Sequence, residues 1–492
     1  MEDINKVINP VTYDIRSVLL TADRWSLWDE DDEGFEIRKF VQQITFYESL
    51  NKAYLTAAMV FLDNQSLSSR LNFTGTERVE IKIMTDEEQS DEKLSITKRF
   101  IITEILSSEK VGDNNEMISV HLIEERAYQS YVSTINRSFK KILSQPGDKG
   151  FAGNPVDIIQ NLLRTLDRSH GRSGYFLDNT LMYNESPDQL PLFDGEMNII
   201  IPNLPAIDAV TWITNRCITS SGLPFYSFAS MGDDRIRFFS LEAMLKMDPI
   251  NSGQMAYTYA FQLLSSAQTV PNGMKSYLIS DFDNTGTDNQ LAYSRTGAGT
   301  SSHNFIDTYS GEIKVVNFDP ERMFEHLHDQ NILGKNDLAV YDSKLKFGNK
   351  TLSELNSAVV TNISTSKTFS NTKRGVDDKK RSYNEVGNTD YHALKIEAGS
   401  ARAYLQKTGL KIKVPGRNFL AKNSNMTVGN KINVEFRKNI VQEKENPSHS
   451  PSDLIDLKRS GQYIIHNAEH TFNDDDGYTV ILVLVRLALQ KR

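Results

Sequence analysis

The chain has 492 residues with 55 Lys and Arg against 64 Asp and Glu, a net charge of −9, which excludes a surface built to grip nucleic acid through its phosphates. Hydrophobic residues at 39% and charged residues at 24% fit a soluble folded protein with room for three or four domains, and no apolar run reaches the ~20 residues that a membrane span needs. The single cysteine, Cys217, excludes an intrachain disulfide and a cysteine metal cluster; residues 1–10, charged and without an apolar core of signal-peptide type, give no support to export through a secretion pathway.

Residues 1–143 read as β with short connections. The runs 40–47, 58–62, 79–83, 100–106 and 117–123 have strand length, and the third alternates Val79, Ile81 and Ile83 against Glu80 and Lys82. Strands of this kind separated by turn signals predict a barrel or sandwich. The acidic block 29–33, behind Trp25 and Trp28, reads as a solvated loop. Residues 144–250 change character. Asn154 and Pro155 supply an N-cap and a first-turn proline, and Val156, Ile159, Leu162, Leu163 and Leu166 recur at helical spacing. A strand at 198–201 leads through Pro202 and Pro205 into a helix over 206–218, which predicts a buried helix thiol at Cys217. The runs 224–228 and 235–239 form a hairpin around Gly232, Asp233 and Asp234, and 241–245 closes the unit.

From 251 to 345 the patterns predict strands at 258–264 and 275–281, a loop at 285–302 rich in Gly, Thr and Ser, and a short helix at 319–327. An irregular polar insertion, 346–395, contains a stretch at 362–388 with little that could form a core, hence a long loop or arm. Residues 396–492 return to strands. A strand at 411–414 is closed by Pro415 and Gly416; Gly429 opens 431–436, where Ile432, Val434 and Phe436 share one face. The runs 464–472 and 478–487 read as a hairpin about the turn 473–477, the second apolar on both faces.

Chemical motifs are few. Residues 277–287 set an apolar strand before Asp281, Phe282, Asp283, Asn284 and Thr285, the arrangement by which haloacid-dehalogenase phosphatases place a nucleophilic and a general-acid Asp beside magnesium. The alternating strand and helix units of a doubly wound sheet are missing around it, which favours a strand followed by an Asx-rich turn. Asp281, Asp283, Thr285 and Gly286 also fall at the offsets of a calcium loop, but Ala292 stands where a bidentate Glu is required. His466 and His470 sit on a strand, sharing the face of Ile464, Ala468 and Phe472, which favours packing over metal. Glu325, His326 and His328 lack a third well-spaced ligand. There is no phosphate loop, nucleophile elbow or carboxylate pair for sugar hydrolysis. No catalytic, cofactor-binding or metal residue is assigned, no cofactor is called for, and the chain is not expected to be an enzyme.

Several stretches carry a resemblance. Phe46-Tyr47-Glu48-Ser49, Leu62-Asp63-Asn64 and Gly75 to Ile81 come first, then Ile201-Pro202-Asn203, a helix, Pro224-Phe225-Tyr226-Ser227-Phe228 and Ser240-Leu241-Glu242. Val414-Pro415-Gly416, Gly429 with its strand, Ser460 to Ile465 with His470, and Tyr478 to Leu482 follow. In this order they resemble tail hub proteins of contractile phages, a family of T4-type baseplate hubs, late-control D proteins and the hub half of type VI spike proteins. The resemblance covers roughly residues 35–245, 270–320 and 410–487.

The resemblance implies a mainly β fold with α+β elements: a tube-type β-barrel in 1–143, a small α/β domain in 144–250, and a second barrel begun in 251–345 and completed in 396–492. It implies a homotrimer whose six barrels form a ring in the tail baseplate of a virion assembled in the host cytoplasm. The ring adapts a three-fold central spike protein to a six-fold tail tube protein or tube initiator, with baseplate wedge proteins as further neighbours, and DNA passes through it during ejection without specific binding. With −27 for three copies, the channel wall is expected to be acidic, with Glu77, Glu80 and Asp474 to Asp476 as candidates. Two rivals stand beside this: a phosphatase centred on Asp281 and Asp283, and a receptor-binding virion protein acting through 362–388.

Overall fold

Alternation of apolar and polar residues governs most of the chain, and the computed structural model is accordingly mainly β with helices between the strands. The structure describes residues 13–22, 34–64, 66–67, 73–85, 95–112, 115–136, 138–139, 155–168, 181–183, 199–259, 277–285, 300–307, 313–334, 337–339, 346–351, 358–364, 389–416, 419–420, 426–438, 455–473 and 477–490.

Seven strands come first: β1 (Tyr13–Thr21), β2 (Phe35–Glu36), β3 (Val41–Ser49), β4 (Thr56–Asp63), β5 (Arg78–Thr85), β6 (Ser95–Val111) and β7 (Asn115–Glu124). In β4 every second residue, Ala57, Met59, Phe61 and Asp63, is buried, as a strand with one face on a core demands. Helices α1 (Glu125–Tyr131), α2 (Pro155–Arg168) and α3 (Ala206–Thr214) follow, then β8 (Phe225–Ala229), β9 (Ile236–Ser240) and α4 (Leu241–Lys246). The next elements are β10 (Tyr257–Tyr259), β11 (Asp281–Asn284), β12 (Ser301–Asp307), β13 (Ile313–Phe318), α5 (Pro320–Asp329) and β14 (Ala358–Ser364). Asp319 caps α5, accepting the Glu321 amide at 3.0 Å, and Pro320 starts it. Helix α6 (Thr389–Lys407) precedes β15 (Leu410–Pro415), β16 (Lys431–Phe436), β17 (Gly461–Asn473) and β18 (Gly477–Val485).

One sheet of thirteen strands spans both ends of the sequence. Its order is β11-β15-β18-β17-β3-β4-β7-β6-β5-β1-β2, with β16 also on β17 and β10 on β16. The junction is antiparallel pairing of β3 with β17, from Ser49 opposite Asn467 to Gln43 opposite Asn473. Among the described residues three large cores and one small cluster lie against this framework. The first holds Val18, Phe46, Phe61, Ile81, Phe100 and Val120, together with Phe472 of β17. The second gathers Tyr257, Ile412, Ile432, Tyr463, Leu482 and Tyr404 of α6. The third packs Ile159 and Leu162 of α2 on Val210 and Ile213 of α3 and on Phe238 of β9.

Some local expectations need correction. Helix α3 ends at Thr214, so Cys217 lies past it, in the following turn, where its buried thiol donates to Ile213 O at 3.4 Å. The expected strand at 275–281 begins where it was to end: Asp281 to Asn284 form β11 itself, antiparallel to Lys413 to Leu410. Of the expected strand at 258–264 only Thr258 and Tyr259 are described, within β10 (Tyr257–Tyr259). In the insertion, β14 takes in Asn362, α6 begins at Thr389, and residues 365–388 lie outside the described residues. The block 29–33, Ala292 and Asp474 to Asp476 lie outside them too.

Candidate functional site

The seam between β3 and β17 has two sides of different chemistry. On β3, period-two geometry turns Ile44, Phe46 and Glu48 inward, and β17 answers with Phe472, His470 and Ala468. A β-bulge at His466 interrupts β17: Ile465 pairs with Leu484 and Asn467 with Val483, leaving His466 between them. The extra residue moves Ile465, rather than Ile464, onto the face of Ala468 and Phe472. His466 and His470 therefore do not form a pair. His466 contacts Asn467 at 3.0 Å and Asn51 at 3.4 Å, whereas His470 points into the core.

Glu48 is a carboxylate wholly inside the protein. It accepts Ser230 Oγ at 3.1 Å and the amides of Met231 and Val428, and His470 Nε2 stands 3.4 Å from its Oε1. Burial pushes this carboxyl up, but His470 and the two amides outweigh it and hold it below the usual range. The other ring nitrogen of His470, Nδ1, lies 2.8 Å from the Tyr478 hydroxyl. Glycines admit this packing. A Cβ on Gly416 would stand 2.4 Å from the Tyr478 ring, and Gly429, at φ +86°, would meet Phe228 at 2.7 Å. Residues from four separate sequence stretches thus converge at one buried point. Lys98 of β6 adds a second tie, donating to Ser230 O at 3.3 Å and Asp234 at 2.9 Å.

The opposite side of the sheet is more open and mixes polar with apolar residues. A single row of residues crosses ten strands: Asp281, Lys413, Ile481, Glu469, Tyr47, Thr56, Ile123, Ile101, Arg78 and Thr21 are successive cross-strand partners. Next to it Asp283 faces Lys411, whose Nζ lies 3.7 Å from Glu469. Glu80 pairs with Arg99 at 2.7 Å. Burial first, and then the Glu469 charge, push the Tyr47 hydroxyl up. Acids and bases are interleaved on this face, with Asp281, Asp283, Glu469 and Glu80 against Lys411, Lys413, Arg99, Arg78 and Lys82. Glu77 is not on it: fully buried, its carboxylate accepts the amides of Thr74, Gly75 and Thr76 and closes its own turn.

Asp281 and Asp283 are exposed on an antiparallel strand opposite two lysines, and Phe282 between them packs on Tyr259 and Phe436. Among the described residues their strand pairs antiparallel with β15, and no parallel sheet of the kind a dehalogenase-type phosphatase needs surrounds them. Among the described residues no three His, Cys, Asp or Glu side chains come together as a metal site, Glu325, His326 and His328 of α5 included. No described helix is long and apolar enough to cross a membrane. Glu48 and Lys98 were not singled out as polar core residues by the sequence patterns, although alternation along β3 already aims Glu48 inward.

No family model matches the chain, and no curated protein matches it. Solved structures do. The tail protein from Neisseria meningitidis is 12% identical, with 96% of each chain covered and a TM-score of 0.49. The 43 kDa tail protein of a Shewanella oneidensis prophage is 9% identical over 96% of this chain and 98% of its own, with a TM-score of 0.47. An Escherichia coli type VI secretion component, described as structurally similar to T4 bacteriophage tail proteins, is 9% identical over 92% of this chain and 74% of its own, with a TM-score of 0.35. Phage tail and secretion-spike proteins are the structures this chain is similar to.

Proposed function

We propose that the chain is a structural subunit of a phage tail baseplate hub. Three copies form a ring, the N-terminal and C-terminal strands of each supply two tube-type barrels, and the polar sheet face lines the channel. The observation that carries this reading is the row of residues from Asp281 to Thr21, which runs across both halves of one chain and bears a charged or hydroxyl side chain at every position but Ile481, Ile123 and Ile101. An enzyme concentrates its polar groups in a pocket; a conduit distributes them along a wall. The convergence of the hub-like sequence stretches on Glu48, His470 and Tyr478 supports it, because those stretches then share one structural task.

In this arrangement a trimeric spike protein lies below the ring, and a six-fold tube protein or tube initiator above it, with baseplate wedge proteins around it. Closed cyclic symmetry accounts for the step from three to six when each chain repeats its tube element twice. Interleaved charge suits passage of DNA. A basic wall would hold phosphates by counterion release, whereas a wall of alternating sign offers no continuous track to bind.

Class averages of the purified protein by electron microscopy test the proposal. A three-fold particle with a central channel is expected, its wall formed by the β11-to-β1 face. A protein that stays monomeric at every concentration, or a ring with that face turned outward, would overturn it.

A further inference from the structure

Helix α6 joins two parts of the molecule. Its Ala401, Tyr404 and Leu405 belong to the second core, while Leu394 and Ala398 close over Ile218 at the turn that follows α3. Glu397 lies in that seam. Its Oε2 fills the space beside Gly222, 2.5 Å from where a Cβ would stand, and Gly222 has φ +80°. Only glycine admits so close an approach in that backbone conformation. Among the described residues this buried oxygen has no hydrogen-bond partner.

The surrounding charges do not supply one. Arg402, on the same helix, donates to Phe225 O at 3.0 Å and lies over the Tyr226 ring. Glu242 of α4 is taken by Ser221 and Lys246. Arg216 donates to Trp212 O at 2.9 Å and stacks on that indole, and burial pushes the Cys217 thiol up, keeping it neutral. Among the described residues, Lys395 of α6, Lys314 of β13 and, on α5, Glu321, Arg322, Glu325, His326, His328 and Asp329 are the other charged or titratable groups on these elements; none offsets the burial of Glu397. Burial alone moves its carboxyl, to about 7.

We propose that Glu397 is a proton-operated latch: with the carboxyl neutral, α6 is seated on the 218–223 turn, and with it ionised the seat loosens, uncoupling α6 from the small α/β unit. An ionised carboxylate enclosed without a cation or donor is costly, whereas the neutral acid is tolerated. Because the folded value is raised above the ordinary 4.5, the stabilisation is complete below 4.5 and is lost as pH rises through about 7. The latch stands independently of the tail reading.

Hydrogen exchange on the full-length protein tests it. After correction for intrinsic rates, protection of residues 394–402 in the wild type should fall about tenfold or more between about pH 5 and about pH 8, while β17 and β18 stay protected. Glu397→Gln should hold the same segment protected at both values. A flat wild-type response, or a Glu397→Gln protein that follows the wild type, would refute the latch. Should the variant not fold, carbon NMR of the wild-type carboxyl decides: titration near 7 supports the latch, and titration near 4.5 overturns it.

Discussion

His470 Nδ1 and the Tyr478 hydroxyl face each other at 2.8 Å across the β17–β18 pair, inside the protein. The contact fixes the imidazole so that its other nitrogen meets Glu48. The strand pairing, the small hairpin and the approach to β16 are held through that one carboxylate.

Removing the carboxylate therefore strands several donors at once. Glu48→Ala is expected to lower stability by about 3 kcal/mol or more, since the Met231 and Val428 amides and His470 lose their partner in a dry site. Urea unfolding measures it; a loss under about 1 kcal/mol would mean that water replaces the carboxylate.

Acid should weaken the same junction. The folded Glu48 carboxyl is held below its ordinary 4.5, so its contribution is complete above 4.5 and is lost as pH falls through the folded value. Unfolding free energy followed into acid should drop more steeply in the wild type than in Glu48→Gln. Parallel curves for the two proteins would count against an ionised Glu48.

Two glycines test the packing around it. Gly416→Ala drives a methyl into the Tyr478 ring and should cost about 1 to 3 kcal/mol. Gly429→Ala adds left-handed backbone strain to a clash with Phe228, and should cost more than Gly416→Ala. Thermal melts of both variants give the order, and the reverse order would contradict it.

Asp281→Asn with Asp283→Asn removes two exposed acids that face lysines on an edge strand. The double variant should change stability by no more than about 1 kcal/mol. Phosphate release from a generic phosphoester by the wild type, abolished by Asp281→Asn alone, would restore the phosphatase reading.

If the chain forms the proposed ring, DNA should pass through it without being held. Binding of duplex to the assembled protein at low salt, where attraction is least screened, is expected to be weak. Tight, steeply salt-dependent binding would count against the proposed conduit.

Strand positions were legible wherever one face is buried and the other wet, as in β4 or β16, because burial imposes the period directly. What stayed hidden depends on partners distant in sequence. Glu48 reads inward by alternation, yet nothing near it announces Ser230 or Val428. The bulge at His466 adds one residue to an otherwise regular strand and silently exchanges the roles of Ile464 and Ile465. Turn-forming residues in β11 became a strand because Lys411 and Lys413 lie opposite Asp283 and Asp281, a case of cross-strand pairing overriding local preference. Cys217 escaped its helix because three turn-end hydrogen bonds close at Asn215, Arg216 and Cys217.

The β3–β17 seam also sets a timetable for synthesis. Thr45 and Thr471, whose hydroxyls meet at 3.2 Å, are 426 positions apart, so β3 leaves the ribosome long before the strand that covers its edge exists. The first core cannot be finished meanwhile, since Phe472 belongs to it. For that interval the nascent chain displays an unsatisfied β edge beside apolar surface, the combination that invites pairing with the wrong chain. Long-range closure of this kind is slow. Productive yield should then depend less on the stability of the finished fold than on how well the host shields that edge until the last strands arrive.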